Sequence, residues 1–204
     1  MEHSDDSVQH VPFCIHGPSD PDLISQSGPV GPDVTVRATL PGDRPGILEV
    51  VRQAFGDGSG GGAEEFRIVA AVWDVRARRV LVDMVAVIGG EVVGHVLASV
   101  GSLGGQPVPA IAPLAVRPDH QGRGIGSALM HTAMDLPAPC GAPLVVVLGD
   151  PTYYGRFGFE AAGPHGIVYR PVGPDSPHFQ VCRLGPGGYG WTGEYFSSWE
   201  APTR

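Results

Sequence analysis

Alternating apolar and polar positions predict β-structure in the first half of the chain. Val34–Ala38 alternates as a first strand. Two longer β-rich runs, Val80–Ile88 and residues 91–100, are joined by Gly89-Gly90, and these glycines supply the positive φ angles that a two-residue hairpin requires. The pattern therefore predicts an antiparallel pair of strands after the first strand.

A loop over residues 101–106 is predicted to lead into a central strand over residues 108–116. Pro113 interrupts that strand and cannot donate to a strand ladder, so a bulge or a splayed edge is expected there. Leu144–Leu148 is uninterrupted and apolar, as a strand covered on both faces should be. A helical crossover makes it parallel to the central strand. Residues 179–184 are predicted to form the last strand.

Apolar residues spaced three and four positions apart predict helices that pack on this sheet. The first stripe comprises Ile47, Val50, Val51, Ala54 and Phe55, and Asp43 is the predicted cap. The second follows a glycine cluster at residues 56–62 and comprises Phe66, Val69, Ala70 and Trp73. The third comprises Ile125, Leu129, Ala133 and Leu136, and this helix is expected to end before residues 137–143. Helical spacing favours core packing for the aromatic members of these stripes.

Length and composition favour one domain with an extension at each end. The chain has 204 residues, of which 42% are hydrophobic, enough for a single sizeable core. Residues 1–32 are polar and rich in glycine and proline, which predicts a flexible N-terminal extension. The domain is predicted over residues 33–184. The tail, residues 185–204, is expected to fold back on the domain or to meet a second subunit in a homodimer, because it holds Tyr189, Trp191, Tyr195, Phe196 and Trp199.

Charge and apolar patterning narrow the function classes. The net charge of -8 argues against nucleic acid as a general partner, because that binding neutralises many phosphates, and it fits a cationic ligand better. No apolar run approaches the ~20 residues that cross a bilayer, and the N-terminus does not resemble a signal sequence, so a cytoplasmic protein without membrane contact is expected. Cys14, Cys140 and Cys182 have neither metal-ligand nor disulfide spacing, so no metal is expected.

Three glycines after the central strand form a turn that opens a helix. Gly122, Gly124 and Gly126 let the backbone pass close to a ligand, and the first helical amides can bind an anion. The Rossmann fingerprint does not fit, because the third glycine falls too early. The Walker pattern needs a lysine, and all 13 Lys+Arg residues are arginine. The turn therefore indicates a phosphate-bearing ligand of another kind.

The turn resembles the acetyl-CoA site of the GNAT acetyltransferase superfamily, Gln/Arg-x-x-Gly-x-Gly/Ala, which Gln121, Gly124 and Gly126 fill. Residues 149–159 read Gly-Asp-Pro-Thr-Tyr-Tyr-Gly-Arg-Phe-Gly-Phe, which is similar to one branch of predicted N-acetyltransferases in that superfamily. The resemblance covers roughly residues 33–184. It implies an α+β fold whose mixed, mostly antiparallel sheet splays between its fourth and fifth strands, with helices on both faces.

The resemblance also implies roles for individual residues in acetyl transfer from acetyl-CoA to an amine. Leu114, Ala115 and Val116 would pair with the pantetheine arm, and the Leu114 amide would stabilise the oxyanion. Tyr154, four residues before Gly158, would protonate the departing thiolate. The pyrophosphate would be held by amides of the turn, with Tyr153 as a further cofactor-binding residue. The turn residues are Gln121, Gly122, Arg123, Gly124, Ile125, Gly126 and Ser127. Arg123 and Arg117 would make the site locally positive.

Two departures from the superfamily pattern leave alternatives open. Ala110 stands where histone-type members carry a glutamate base, so the base is unassigned, and His95 or Asp83 is a candidate. Asp150 replaces an asparagine that contacts CoA in some members. The leading hypothesis is an N-acetyltransferase acting on a small-molecule or peptide amine. The alternatives are a sensor that binds CoA esters without transfer and a nucleotide-dependent oxidoreductase.

Overall fold

The computed structural model describes residues 31, 33–56, 69–70, 73, 80–135, 141–185 and 190–197. The predicted N-terminal extension, apart from Gly31, therefore lies outside the described residues, as do Phe66, Leu136, Tyr189 and Trp199. No helix in the described ranges is long and apolar enough to span a membrane.

A sheet in the order β1-β2-β3-β4-β5-β8-β6 forms the centre of the fold, and β9 joins both β3 and β7. Its pairs are antiparallel except β4–β5 and β7–β9, which are parallel. The predicted mixed, mostly antiparallel α+β fold is thus confirmed. The strands are β1 Val34–Ala38, β2 Val80–Ile88, β3 Glu91–Leu103, β4 Gln106–Val116, β5 Leu144–Leu148, β6 Glu160–Ala161, β7 Ile167–Val168, β8 Phe179–Arg183 and β9 Gly193–Phe196.

Helices cover both faces of this sheet, as predicted. Helix α1, Arg44–Phe55, packs against Val85 and Leu97, and this side is called the α1 face. Helix α2, Ile125–Met134, packs against Ala86 and Val96 on the opposite α2 face. The short helix α3, Pro151–Tyr154, continues as a 3-10 turn, Gly155–Phe157. Val69, Ala70 and Trp73, from the second predicted stripe, occupy helical positions.

Asp43 does not cap α1 in the predicted way, so that expectation is wrong. Its side chain makes no cap hydrogen bond to the helix. The carboxylate instead accepts hydrogen bonds from Arg37 at 2.6 and 2.9 Å and from the Leu40 amide at 2.7 Å. A cation from the neighbouring strand β1 therefore competes successfully for the carboxylate.

The predicted loop over residues 101–106 is also wrong, because β3 and β4 continue through most of it. Their hairpin turn is Gly104-Gly105, with φ of 55° and 83°. Ser102 and Leu103 pair with Phe196 and Tyr195 of β9. Pairing with β4 on one side and with the distant strand β9 on the other therefore holds this glycine-rich stretch extended.

The sheet opens between β4 and β5, where the sequence predicts it. Only Ala110 and Ile111 of β4 pair with β5, opposite Val146 and Val147. The β3–β4 register shifts between Val96 and Ala98, which confirms the irregularity expected at Pro113. The last residues of β4 thus keep their pairing with β3 and diverge from β5, which leaves a gap on that side.

The described part of the C-terminal tail packs on the domain through strand β9, one of the two alternatives that the aromatic content of the tail left open. Strand β9 pairs with the end of β3 and with β7. Tyr195 is buried, whereas Phe196 is about half exposed. The other alternative, a second subunit, stays a prediction.

Candidate active site

A cleft of about 880 Å³ fills the gap between β4 and β5. Its walls come from the ends of α1 and β4, the glycine turn (residues 121–127), the end of β5, and α3. Most of the predicted site residues line it: Leu114, Val116, Gln121, Gly122, Gly124, Gly126, Ser127, Tyr153 and Tyr154. The structure therefore brings the two motifs of the sequence to one cavity.

The glycine turn presents backbone amides at the start of α2. Gly122 and Gly124 have φ of 73° and 83°, a left-handed conformation that strains residues with a side chain. The Ala128 amide donates to the Gly124 carbonyl at 3.0 Å. The three preceding helical amides, of residues 125–127, come before this first α-helical bond and carry the positive end of the helix dipole. The turn thus has the geometry of an anion site.

The amides of Leu114 and Val116 point toward the cleft. The Arg117 amide donates to the Val93 carbonyl of β3 at 2.9 Å, which fixes the direction of one amide at the end of β4. Successive residues of a strand direct their amides to opposite sides, so the Ala115 amide, like that of Arg117, faces β3, whereas those of Leu114 and Val116 face β5. The Val116 carbonyl accepts a hydrogen bond at 3.0 Å from the Gln121 side chain on this open side. Gln121 thereby ties the turn to the strand.

Three predicted site residues do not line the cleft with the others. The side chains of Ala115 and Ile125 are buried in the core on opposite faces of the sheet, and Arg123 is exposed. Only a backbone contact to a ligand is therefore open to Ile125 in this arrangement.

The arginine that lines the described part of the cleft is Arg156, which was not among the predicted site residues. Arg117 donates to Asp119 at 2.6 Å and to Glu91 at 3.1 Å, so two carboxylates already neutralise it. Arg156 lines the cleft instead, with its guanidinium 4.4 Å from the centre of the Tyr153 ring. Its Nε also donates to the Tyr153 carbonyl at 3.1 Å. The sequence feature that could have indicated Arg156 as a site residue is its place in the Gly-Asp-Pro motif, residues 149–159.

Two buried polar atoms lie at the glycine-turn end of the cleft, the Tyr153 hydroxyl and His120 Nδ1, and neither has a hydrogen-bond partner among the residues that the structure describes. A Cβ built on Gly126 would lie 2.5 Å from that hydroxyl, so the phenol sits directly over the turn. Burial raises the pKa of Tyr153, and nearby Arg156 partly opposes the shift. His120, which precedes the turn, was not among the predicted site residues.

The Tyr154 ring makes an edge-to-face contact with that of Tyr153, with ring centres 5.0 Å apart, and only 8% of its surface is exposed. Its ring lies against Gly149, where an added Cβ would come within 2.2 Å of it, and makes an edge-to-face contact with Phe159 at 5.8 Å. Burial, and to a smaller extent Tyr153, raises the pKa of this phenol. Tyr154 is therefore held rigidly and stays protonated through neutral pH.

The sequence profile described as "Acetyltransferase (GNAT) family" matches residues 53–159, which include the glycine turn, β4, β5 and both tyrosines. The chain belongs to the GNAT acetyltransferase family. The resemblance inferred from the two motifs is thus confirmed.

Individual GNAT relatives agree with this assignment. The uncharacterized N-acetyltransferase YhbS of Escherichia coli is 35% identical over 153 residues, which cover 73% of this chain and 86% of that protein. A crystal structure of YhbS in complex with CoA superposes with a TM-score of 0.68, at 31% identity, and covers 80% of this chain and 88% of the other. The crystal structure of a Brucella melitensis GNAT family acetyltransferase in complex with acetyl-CoA superposes with a TM-score of 0.61, at 28% identity. It covers 81% of this chain and 97% of the other.

The two candidate bases, His95 and Asp83, do not reach the GNAT cleft. His95 is fully buried and its Nε2 lies 2.9 Å from Asp83, which also accepts hydrogen bonds from Thr39 and Trp73. Burial by itself would raise the pKa of Asp83, but the hydrogen bonds from His95 and Thr39 outweigh it, so the pKa is lowered. Neither residue is part of the cleft wall. This polar cluster is a structural element under the α1 face, because Ala115 separates it from the open side of β4.

Asp150 is the carboxylate on the cleft wall among the residues that the structure describes. It caps α3, and its Oδ1 accepts a hydrogen bond from the Thr152 amide at 2.8 Å. Ala110, at the position of the glutamate of histone-type GNAT members, lines the same cleft with a methyl group. Across the described ranges no His, Cys, Asp and Glu cluster could hold a metal ion.

Proposed function

We propose that this chain binds acetyl-CoA and transfers its acetyl group directly to an amine. The observation that carries the proposal is a single cleft that joins an anion-binding turn at one end to a buried, protonated tyrosine and an open strand edge. Its relatives in complex with CoA and acetyl-CoA support the same donor.

The residues present fit this ligand. The amides at the start of α2 would hold the pyrophosphate, with Arg156 close enough to add positive charge. The orphaned Tyr153 hydroxyl and His120 Nδ1 would gain partners at the same end. The inward amides of Leu114 and Val116 would pair with the pantetheine arm, which takes the place of the strand that β4 lacks there.

The chemistry follows from where these groups lie. The amine nitrogen would bond to the thioester carbonyl carbon, and the carbon–sulfur bond would then break. The Leu114 amide would stabilise negative charge on the carbonyl oxygen, a preorganised donor of the most effective kind in acyl transfer. Tyr154 would donate its proton to the departing sulfur. The attacking nitrogen must lose a proton, and we propose Asp150 as its acceptor.

The experiment that tests this function measures thiol release from acetyl-CoA with a panel of primary amines. Transfer to at least one amine, with the acetylated product detected by mass spectrometry, is the expected result. Binding of acetyl-CoA without turnover on any amine would instead identify a sensor of CoA esters.

Acetyl-CoA is expected to raise the thermal stability of the protein more than NADH or ATP does. A ligand that binds only the folded state adds about 2.7 kcal/mol of stability at one hundred times its dissociation constant. Differential scanning fluorimetry with each ligand at equal concentration checks this. A larger shift with NADH than with acetyl-CoA would show that the cleft binds another class of nucleotide.

Replacing Asp150 with asparagine is expected to lower kcat by ~10- to 100-fold without destabilising α3. Asparagine caps helices about as well as aspartate, so the local structure is retained while the proton acceptor is lost. Steady-state kinetics together with melting temperatures check this. An unchanged kcat would restrict Asp150 to its capping role, and Asp150→Ala serves as the control that removes both properties.

A further inference from the structure

The end of the cleft away from the glycine turn is built from aromatic rings. Tyr169, Phe179 and Tyr195 line it, and we call these three residues the aromatic wall. Their ring centres lie 5.3–5.4 Å from one another, and all three are buried. Because each ring is packed by the other two, the wall is a preorganised surface.

The aromatic wall lies on the side from which an acceptor would approach. Ala110 and Val146 belong to the same buried cluster as the wall, whereas their neighbours Ile111 and Val147 pack on the α2 face. The cleft therefore passes through the sheet where β4 and β5 part. If the phosphates occupy the glycine turn, the thioester points to this parting, and the α1 face beyond it is left for the amine.

This acceptor half is apolar. Ala54 and Phe55 at the end of α1 and the small residues Ala110 and Ala112 complete it beside the aromatic wall. The charged side chains that line the described part of the cleft, Asp150 and Arg156, both come from the β5–α3 segment. A second charge on the acceptor would therefore be desolvated without a partner here, which is costly.

We propose, on the basis of the acetyl transfer argued above, that the acceptor is an arylalkylamine, a primary amine joined by a short aliphatic chain to an aromatic ring. Its ring packs edge-to-face or offset on the aromatic wall, an arrangement that aromatic pairs prefer. The short chain spans the two alanines and brings the nitrogen to the parting of β4 and β5. Acetylation forms the nitrogen–carbon bond, releases CoA as its thiol and consumes no other reactant.

The first test compares acceptors on the wild-type protein by thiol release from acetyl-CoA. We expect kcat/KM for phenylethylamine and tryptamine to exceed that for hexylamine by about 10-fold and that for spermidine or a lysine peptide by about 100-fold, because aromatic contacts are gained and no second charge is buried. Equal or faster transfer to spermidine or to the lysine peptide overturns the proposal.

The second test places a charge at the rim of the acceptor half. Ala54→Glu is expected to raise KM for phenylethylamine by about 10-fold or more, since the carboxylate enters the apolar half, with little change in acetyl-CoA affinity. Glutamate is a good helix former, so α1 should persist. Gln53→Glu is the matched control, because it adds the same charge one residue earlier at a position outside the cleft wall. An equal effect of both substitutions overturns the assignment of this surface.

The transferase function and the arylalkylamine specificity are contradicted by different results. If acetyl-CoA does not bind, or if no amine is acetylated, the transferase function itself is wrong and the acceptor class falls with it. If acetyl-CoA binds and polar amines are acetylated in preference, the transferase function stands and only the arylalkylamine assignment is wrong.

Discussion

Replacing Gly126 with aspartate is expected to weaken acetyl-CoA binding by about 100-fold or more while leaving the fold intact. Gly126 is the second residue of α2, and its amide is one of those that precede the first helical hydrogen bond. A carboxylate there would lie where we propose that the pyrophosphate binds. Two unit charges about 4 Å apart near a protein surface repel by roughly 4 kcal/mol, which exceeds the 2.7 kcal/mol of a ~100-fold loss.

The position separates binding from folding. An acidic side chain in the first turn of a helix is favoured by the helix dipole, so the free protein should keep its stability. Gly124 would serve less well, because its φ of 83° makes any side chain strain the backbone. Isothermal titration calorimetry gives the affinity, and thermal unfolding without ligand gives the stability.

Gly126→Ala is the matched control for this substitution. Its Cβ would meet the Tyr153 hydroxyl at 2.5 Å, so the tip of that side chain must shift, but no charge is added. We expect a smaller loss of affinity than with aspartate. Unchanged affinity in Gly126→Asp would show that the turn only begins a helix and binds no phosphate.

Replacing Tyr154 with phenylalanine is expected to lower kcat by ~10- to 1000-fold with little change in acetyl-CoA affinity. The substitution removes one hydroxyl from a ring that Gly149 and Phe159 hold in place. Packing should therefore survive, while the proton donor for the departing thiolate is lost. Single-turnover acetyl transfer measures the chemical step directly.

The pH dependence gives a second readout for Tyr154. Burial raises the pKa of its phenol above the ordinary value near 10, so the donor stays protonated throughout the neutral and mildly alkaline range. The rate should therefore show no loss attributable to this group below about pH 10. Wild-type rates in Tyr154→Phe would contradict the general-acid role.

Tyr153→Phe is the control from the adjacent residue. The Tyr153 hydroxyl lies over Gly126 in the glycine turn, so its loss should weaken acetyl-CoA binding and leave the chemical step nearly unchanged. The two tyrosines are thus expected to differ in kind, one acting on kcat and the other on affinity. The reverse pattern would mean that the roles of the two rings are exchanged.

Local sequence patterns predicted the elements whose conformation depends on residues close together in the chain. The alternation in β1, the Gly89-Gly90 hairpin and the apolar run of β5 all appear where the sequence places them. The glycine spacing of residues 122–126 and the Gly-Asp-Pro motif predicted two segments that the structure places along one cleft. These signals are readable because backbone conformation at a tight turn and the period of a strand depend on nearby residues.

Contacts between distant segments of the chain determined the features that the sequence patterns did not predict. Residues 101–103 have the composition of a loop, yet they pair with β4, and β9 pairs with Ser102 and Leu103 across about ninety residues of chain. Arg117 was a candidate for the positive site, but Glu91 from the start of β3 helps to neutralise it. Side-chain partners of this kind have no fixed sequence spacing.

The two halves of the cleft differ in the same way, because one was predicted from local motifs and the other depends on distant contacts. Sequence motifs predicted the donor turn and Tyr154, because the proposed phosphate-binding turn and the proposed general acid each lie in one short segment. The aromatic wall joins residues 169, 179 and 195, whose segments meet only after β7, β8 and β9 have packed. The proposed donor site is therefore local in sequence, whereas the proposed acceptor surface depends on long-range packing that only the folded chain establishes.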